Sequence, residues 1–225
     1  MNNNERLTGL DGYRGLACIS IIFCHYYGAC LALEGEVSIS LLPYSKYISC
    51  FYQYGSFSVN IFFWISGLLI AYRYKNSIKD MTYIAFIKKR FRTLYPCVFV
   101  SVTVGLLLAI VDQLFTNGVC VQKTINLYKV VMSYSMMFNG WGDPTSDTPF
   151  GSGLWFICSL FLCYSIWYIL NTKFANNYHM CSVLFFLLGW AINRGAFSEV
   201  IPFTASVSWG KGTAFIGFFG GGDIL

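Results

Sequence analysis

Apolar residues fall along this chain in six runs, at about residues 15–33, 57–72, 95–115, 153–170, 180–193 and 204–219. Runs of this kind read as membrane-spanning helices, because a helix needs about 20 mostly apolar residues to cross a hydrocarbon core about 30 Å thick. A helix satisfies its own backbone in lipid, so the pattern predicts an all-α polytopic membrane protein of about five or six spans. Between the second and third runs, residues 81–94 carry Tyr83, Phe86 and Ile87 on one side. Lys88, Lys89, Arg90 and Arg92 fall on the other and would reach lipid headgroups, as in an amphipathic helix lying at the interface. Pro96 then opens the third span, at a helix start where its missing N–H costs nothing. Residues 127–138 are apolar but too short to cross alone, and read as a re-entrant or surface helix. If they did cross, everything downstream would invert. Residues 34–56 and the Gly-, Asp- and Pro-rich 139–153 read as polar loops. Within the second run, Ser66-Gly67 offers a small-residue surface for close helix approach.

Composition sharpens this picture. The 225 residues are 56% hydrophobic and only 11% charged, where ordinary soluble domains carry about 25% charge. The formal net charge is +5, and seven of the fifteen basic residues lie between Arg73 and Arg92 with only Asp80 opposing them. That cluster joins two apolar runs, so it reads as a positive-inside loop and not as a nucleic-acid surface. Residues 1–6 then form a short cytoplasmic tail, the first span runs outward, and residues 34–56 and 116–153 lie outside. Lys123 and Lys129 run against that bias. The nine cysteines include no Cys-x-x-Cys pair, and Cys18, Cys24, Cys97, Cys158, Cys163 and Cys181 sit in apolar runs, where the thiol behaves as a small hydrophobe. No metal site is expected from such spacing. Cys50 and Cys120 fall on the same outer side and are free to pair by this topology, which sequence alone leaves open. Arg6, Arg14 and the Gly28-Ala29-Cys30 triplet faintly imitate a cleaved leader. The apolar run continues past them and further spans follow, so the first helix is expected to be retained.

The candidate chemistry lies in residues 10–33, LDGYRGLACISIIFCHYYGACLAL. From residue 16 to residue 33, eighteen positions carry no charge except a possible one on His25. Arg14 and His25 are eleven positions apart, about three turns plus ~20°, which puts both on one helix face roughly 16 Å apart along the axis. The arginine then sits near the headgroups and the histidine near the bilayer midplane, where an ionisable residue marks a pathway or a reaction site. The plainer alternative for His25 is a buried ring bonded to a helix carbonyl or another side chain. For Arg14 it is snorkelling to headgroups, aided by Asp11 three positions earlier.

Four segments resemble the acyltransferase family 3 proteins, integral-membrane enzymes that O-acylate carbohydrates and similar acceptors. Leu10-Asp11-Gly12-Tyr13-Arg14-Gly15-Leu16 with His25 is similar to the family's LDGLRG opening and its arginine, ten residues, histidine pattern. NIFFWISGLLI at residues 60–70 resembles its FF-x-x-SG-F segment. FIKKRFRTLYP at residues 86–96 resembles its basic segment ending in Tyr-Pro, and Leu154-Trp155-Phe156 resembles its LWF. Order and spacing match across residues 7–170. Two departures stand out. Many members carry a glutamate shortly after LWF, whereas Ser159-Leu160-Phe161 follows here, as in sugar O-acetyltransferases of the family. Family members also carry more spans than six, so residues 7–225 read as a single acyltransferase-like domain that is short at its C-terminus.

The resemblance implies transfer of an acyl group, acetyl above all, from cytoplasmic acetyl-CoA to a hydroxyl of a lipid-linked or cell-surface carbohydrate at the inner (plasma) membrane. Under it His25 is the catalytic base or contacts the acyl carbonyl, and Arg14 assists by holding a donor phosphate, which a guanidinium binds bidentately. Arg90 and Arg92 are further candidate donor ligands, with a solvated positive-inside face as their alternative. Trp141 and Asp143 are weak candidates for sugar contact. The expected partners are acyl-CoA, a carbohydrate or glycolipid acceptor and membrane lipid, with no metal. A non-enzymatic transporter or channel, or an inactive truncated acyltransferase, are the competing readings.

Overall fold

The computed structural model describes residues 8–74, 77–117, 125–135, 154–193 and 205–222. Most of these residues are helical, with no strand among them. The helices are α1 (Thr8–Glu34), α2 (Ser45–Tyr54), α3 (Ser58–Tyr74), α4 (Tyr83–Thr116), α5 (Leu127–Tyr134), α6 (Leu154–Lys173), α7 (Tyr178–Asn193) and α8 (Ala205–Gly222). Among the described residues, four stretches are long and apolar enough to cross a membrane: Gly9–Leu31, Ser45–Tyr74, Tyr83–Thr116 and Phe156–Lys173. The chain is therefore an all-α membrane protein. Its fifth and sixth apolar runs form α7 and α8.

The chain divides into two compact units, Met1–Lys75 with Ile216–Leu225, and Asn76–Phe215. In the first, α1 packs on α2 and α3 through a row of small residues. Ala17 and Ser20 are buried, and a Cβ placed on Gly55 would run into the Ser20 carbonyl oxygen and stand 2.5 Å from the Cys24 Cβ. The segment read as a polar loop contains α2 instead. Its aromatic positions recur at helical spacing and pack on α1, with Phe51 and Tyr52 ring centroids 6.3 and 5.3 Å from that of Phe23. The Tyr52 hydroxyl donates to the Pro43 carbonyl (3.0 Å), fastening the turn in which Tyr44 adopts φ +56°. Ser66 and Gly67 are buried on α3, and Gly217 and Gly221 of α8 lie against the α3 backbone. A Cβ on Gly217 would stand 2.5 Å from that of Phe63, and one on Gly221 would strike the Trp64 carbonyl. Ser66 turns its hydroxyl to the Phe62 carbonyl, 2.7 Å away.

The second unit is built on α4, which corrects the expected break at Pro96. A single helix of 34 residues runs from Tyr83 to Thr116 with Pro96 inside it. Proline removes one ladder bond and crowds the preceding turn, at a cost of about 3 kcal/mol. The offset comes from α6, because the contact stripe of α4 crosses the proline without a gap. Phe86, Val98, Val102 and Ala109 are buried and Arg90, Leu94 and Leu106 half-buried, all at spacings of three or four. Phe86 meets Trp167 and Tyr168 at centroid distances of 5.9 and 5.6 Å, and Phe91 meets Phe161 at 6.5 Å. Beyond the proline, Val98, Val102, Ala109 and Cys158 form one cluster. The helix starts at Thr82, whose hydroxyl caps the Ala85 N–H, and ends at Asn117 with φ +53°, a conformation asparagine tolerates. Of the apolar residues 127–138, Leu127–Tyr134 form the short α5, capped by Asn126 and tied to α4 by a 2.9 Å bond between Tyr134 and Thr103 hydroxyls, while 136–138 lie outside the described residues.

Candidate functional site

The sequence motif at the chain's start becomes a single uninterrupted helix, so Arg14 and His25 share α1 and keep the ~16 Å rise that eleven residues impose. Packing decides which way they face. Ala17, Ser20 and Cys24 form the row turned toward α2 and α3. His25 lies about 100° round the helix from Cys24 and is exposed, as are Cys18, Ile22 and Ala29 on the same side. Arg14 is half-buried at the edge of the packed row. The two residues thus line one open face of α1, with the guanidinium near the helix start and the imidazole three turns further on. That face offers an anion ligand and a proton acceptor in line, joined by an apolar track.

Arg90 and Arg92 belong to the other unit. Two positions apart on a helix is about 200°, so the pair points to opposite sides of α4. Arg92 is exposed, in keeping with the headgroup-facing side expected of Lys88, Lys89 and Arg92. Arg90 instead sits half-buried on the α6-facing stripe. Its Cζ is 6.0 Å from the ring centroid of Phe86 and 6.0 Å from that of Tyr164. The two arginines therefore leave α4 on different sides. The signal was present in the four-residue recurrence of Phe86, Arg90, Leu94, Val98 and Val102. It was masked by the run of basic neighbours.

The aromatic seam itself was missed. Tyr83, Phe86, Phe91 and Tyr95 on α4 interleave with Phe161, Tyr164, Trp167 and Tyr168 on α6, with Tyr83 and Tyr168 centroids 5.4 Å apart. The Tyr168 hydroxyl donates to the Met81 carbonyl (2.8 Å), and Tyr83 and Ser165 share a 2.9 Å hydroxyl bond. Of the LWF segment, Leu154 begins α6 and Phe156 is half-buried. Trp141 and Asp143 lie outside the described residues, as does Cys120, while Cys50 is an exposed free thiol. Among the described residues no three His, Cys, Asp or Glu side chains gather as a metal-holding group.

A family model described as an acyltransferase domain, Acyl_transf_3, matches residues 7–222, nearly the whole chain. Neither a curated protein nor a solved structure matches it.

Proposed function

The chain belongs to the acyltransferase 3 family, and from that premise we propose that it moves an acyl group, acetyl in the simplest case, from acyl-CoA to a hydroxyl of a lipid-linked or surface carbohydrate. The observation that carries this reading is the open face of α1, on which Arg14 and the exposed His25 lie in line within an apolar helix. A thioester donor is an elongated molecule with phosphates at one end and the reactive carbonyl at the other. Arg14 holds a phosphate near the helix start, and the pantetheine arm runs along α1 to bring the thioester to His25.

An alcohol is a weak nucleophile at neutral pH, so a base that takes its proton as attack begins is worth about 10²–10⁴-fold. His25 accepts the hydroxyl proton as the oxygen attacks the thioester carbonyl. The carbon–sulfur bond then breaks, the new ester leaves with the acceptor, and the proton passes to the CoA thiolate. The N-terminus faces the cytoplasm in this reading, since the basic Arg73–Arg92 loop lies on the inner side and the donor is cytoplasmic. The protein is thus placed in the inner (plasma) membrane, crossing it several times.

The test is incubation of membranes carrying the chain with acetyl-labelled acetyl-CoA and host glycolipids, beside His25→Ala at matched expression. Label should enter glycan with the native chain and fall at least about 100-fold with the variant. Because His25 is exposed, its truncation empties no core, and the level of folded protein should not change. Equal labelling by both would remove His25 from the mechanism.

A further inference from the structure

We infer that α2 lies along the membrane surface and is fastened there by a row of aromatic side chains, whose partner is lipid at the boundary between headgroups and acyl chains. The residues of this helix and the turn after it fall into three rows at spacings of three and four. Ile48, Phe51, Tyr52 and Gly55 are buried or half-buried, and the last three meet α1. Lys46, Ser49, Gln53 and Ser56 are polar and exposed. Tyr47, Cys50, Tyr54 and Phe57 are exposed as well, although the three rings among them are large and apolar, at 78%, 63% and 69% exposure. Cys50 joins them as a small hydrophobe. The open side of α2 is thus divided between an apolar row and a polar row. A continuous apolar row of this kind marks an interaction surface, and its pairing with a polar row is the pattern of a helix bedded in an interface.

Continuity with α3 identifies that interface as the membrane. α3 follows α2 after a single tight turn, Gly55–Phe57, and is the apolar part of the stretch Ser45–Tyr74. Its 17 residues extend about 25 Å, close to a hydrocarbon core of about 30 Å, so its two ends fall at the two boundaries and α2 adjoins one of them. On one axis, the 30 residues of Ser45–Tyr74 would extend about 45 Å, too far for the core. The backbone is not straight there: Ile48 (φ −124°, ψ 18°) and Tyr54 (φ −114°, ψ 9°) both leave helical geometry. Tyrosine suits the boundary, because its ring is apolar and its hydroxyl is wet. Lys46 is the one charged residue between Glu36 and Arg73. Its Nζ stands 5.9 Å from the Tyr47 ring centroid, so the aliphatic stem can lie along the apolar row while the ammonium reaches the headgroups. Phe51 and Tyr52 bear on Phe23, two positions before His25, so the level of α2 in the membrane also sets the level of His25.

The experiment places single cysteines in the full chain, in a background whose other cysteines are replaced, and reads an attached nitroxide in bilayers by its accessibility to oxygen and to a water-soluble nickel chelate. Tyr47→Cys, Tyr54→Cys and the native Cys50 sample the aromatic row. Ser49→Cys, Gln53→Cys and Ser56→Cys sample the polar one. Labels on the aromatic row should favour oxygen and sit about 5–10 Å into the headgroup–acyl boundary, and those on the polar row should favour the chelate. Should Tyr47→Cys or Tyr54→Cys fail to accumulate, Cys50 against Ser49→Cys carries the same comparison at two exposed positions. Equal access of the chelate to both rows would overturn the inference and leave the aromatic row to a carbohydrate or a protein. Exclusion of the chelate from both rows would overturn it in the other direction, with α2 continuing α3 through the core.

Discussion

Gly55 lies where α1 comes closest to the turn between α2 and α3, and its lack of a side chain is what lets them meet. A methyl group there would overlap the Ser20 carbonyl oxygen, a backbone atom that cannot swing aside. Gly55→Ala should therefore destabilise the protein by about 1–3 kcal/mol, as overpacked contacts do. Gly28 is the control within α1, since a Cβ there would meet nothing within 4 Å. Gly28→Ala should be neutral or stabilising by about 0.5–1 kcal/mol, from the gain in helix preference alone. Melting temperatures of the two variants in one detergent check the pair. A result in which both lose stability equally would mean that α1 is held by something other than the Ser20–Cys24 row. The same row explains the orientation of the motif, because by turning Cys24 inward it leaves His25 outward. Which face α1 presents to its neighbours was only partly legible from its sequence: Arg14 and His25 share a face, but a buried ring or a lipid-facing one fitted that pattern equally, and the packed row of Ala17, Ser20 and Cys24 has no strong apolar signature of its own.

Among the elements, α4 asks most of the surrounding membrane. Its 34 residues extend about 51 Å, well beyond a hydrocarbon core of about 30 Å, so part of the helix must lie outside it. The exposed Lys88 and Lys89 mark the end that stays in water, and the exposed Val104, Leu107 and Leu108 mark the end that meets acyl chains. Single cysteines placed at Lys88 and at Leu107 in a cysteine-free background should report this. A membrane-impermeant maleimide should label the first once the membrane is opened, and leave the second unlabelled in intact bilayer. Labelling at both would mean that α4 lies along the surface instead of crossing. Both halves of α4 could be read in the sequence, one from its basic amphipathic pattern and the other from its apolar run. Their continuity could not. Local rules favour a boundary at Pro96, and only the unbroken α6 seam overrides them. α2 was hidden for a related reason, since its tyrosines and serines look loop-like until Phe51 and Tyr52 find Phe23 across the contact.

For the whole molecule, the notable connection is that residues from the far end of the chain complete the unit formed by its beginning. Ile216–Leu225 cluster with Met1–Lys75, and the contact is backbone against backbone, made where Gly217 and Gly221 stand one helical turn apart against Asn60, Phe63 and Trp64. Without a hydrophobic drive between helices in lipid, such close approach of small residues is what drives association. The apolar window of Ser45–Tyr74 is 44% buried while that of Gly9–Leu31 is only 11% buried, so α3 is the better-covered wall and α1 the open one. The glycine pair should therefore control the order of α3 and, through it, the placing of α1. A Gly217→Val variant should lose amide-exchange protection across Ser58–Tyr74, by at least ten-fold in exchange rate for about 1.4 kcal/mol of lost contact. Protection across Tyr83–Thr116, whose seam is made with α6, should stay as it was. Deleting Ile216–Leu225 should have the same polarity and a larger effect. If protection of Ser58–Tyr74 survived both changes, the first unit would be self-sufficient, and α1 with its arginine and histidine would owe its position to α2 and α3 alone.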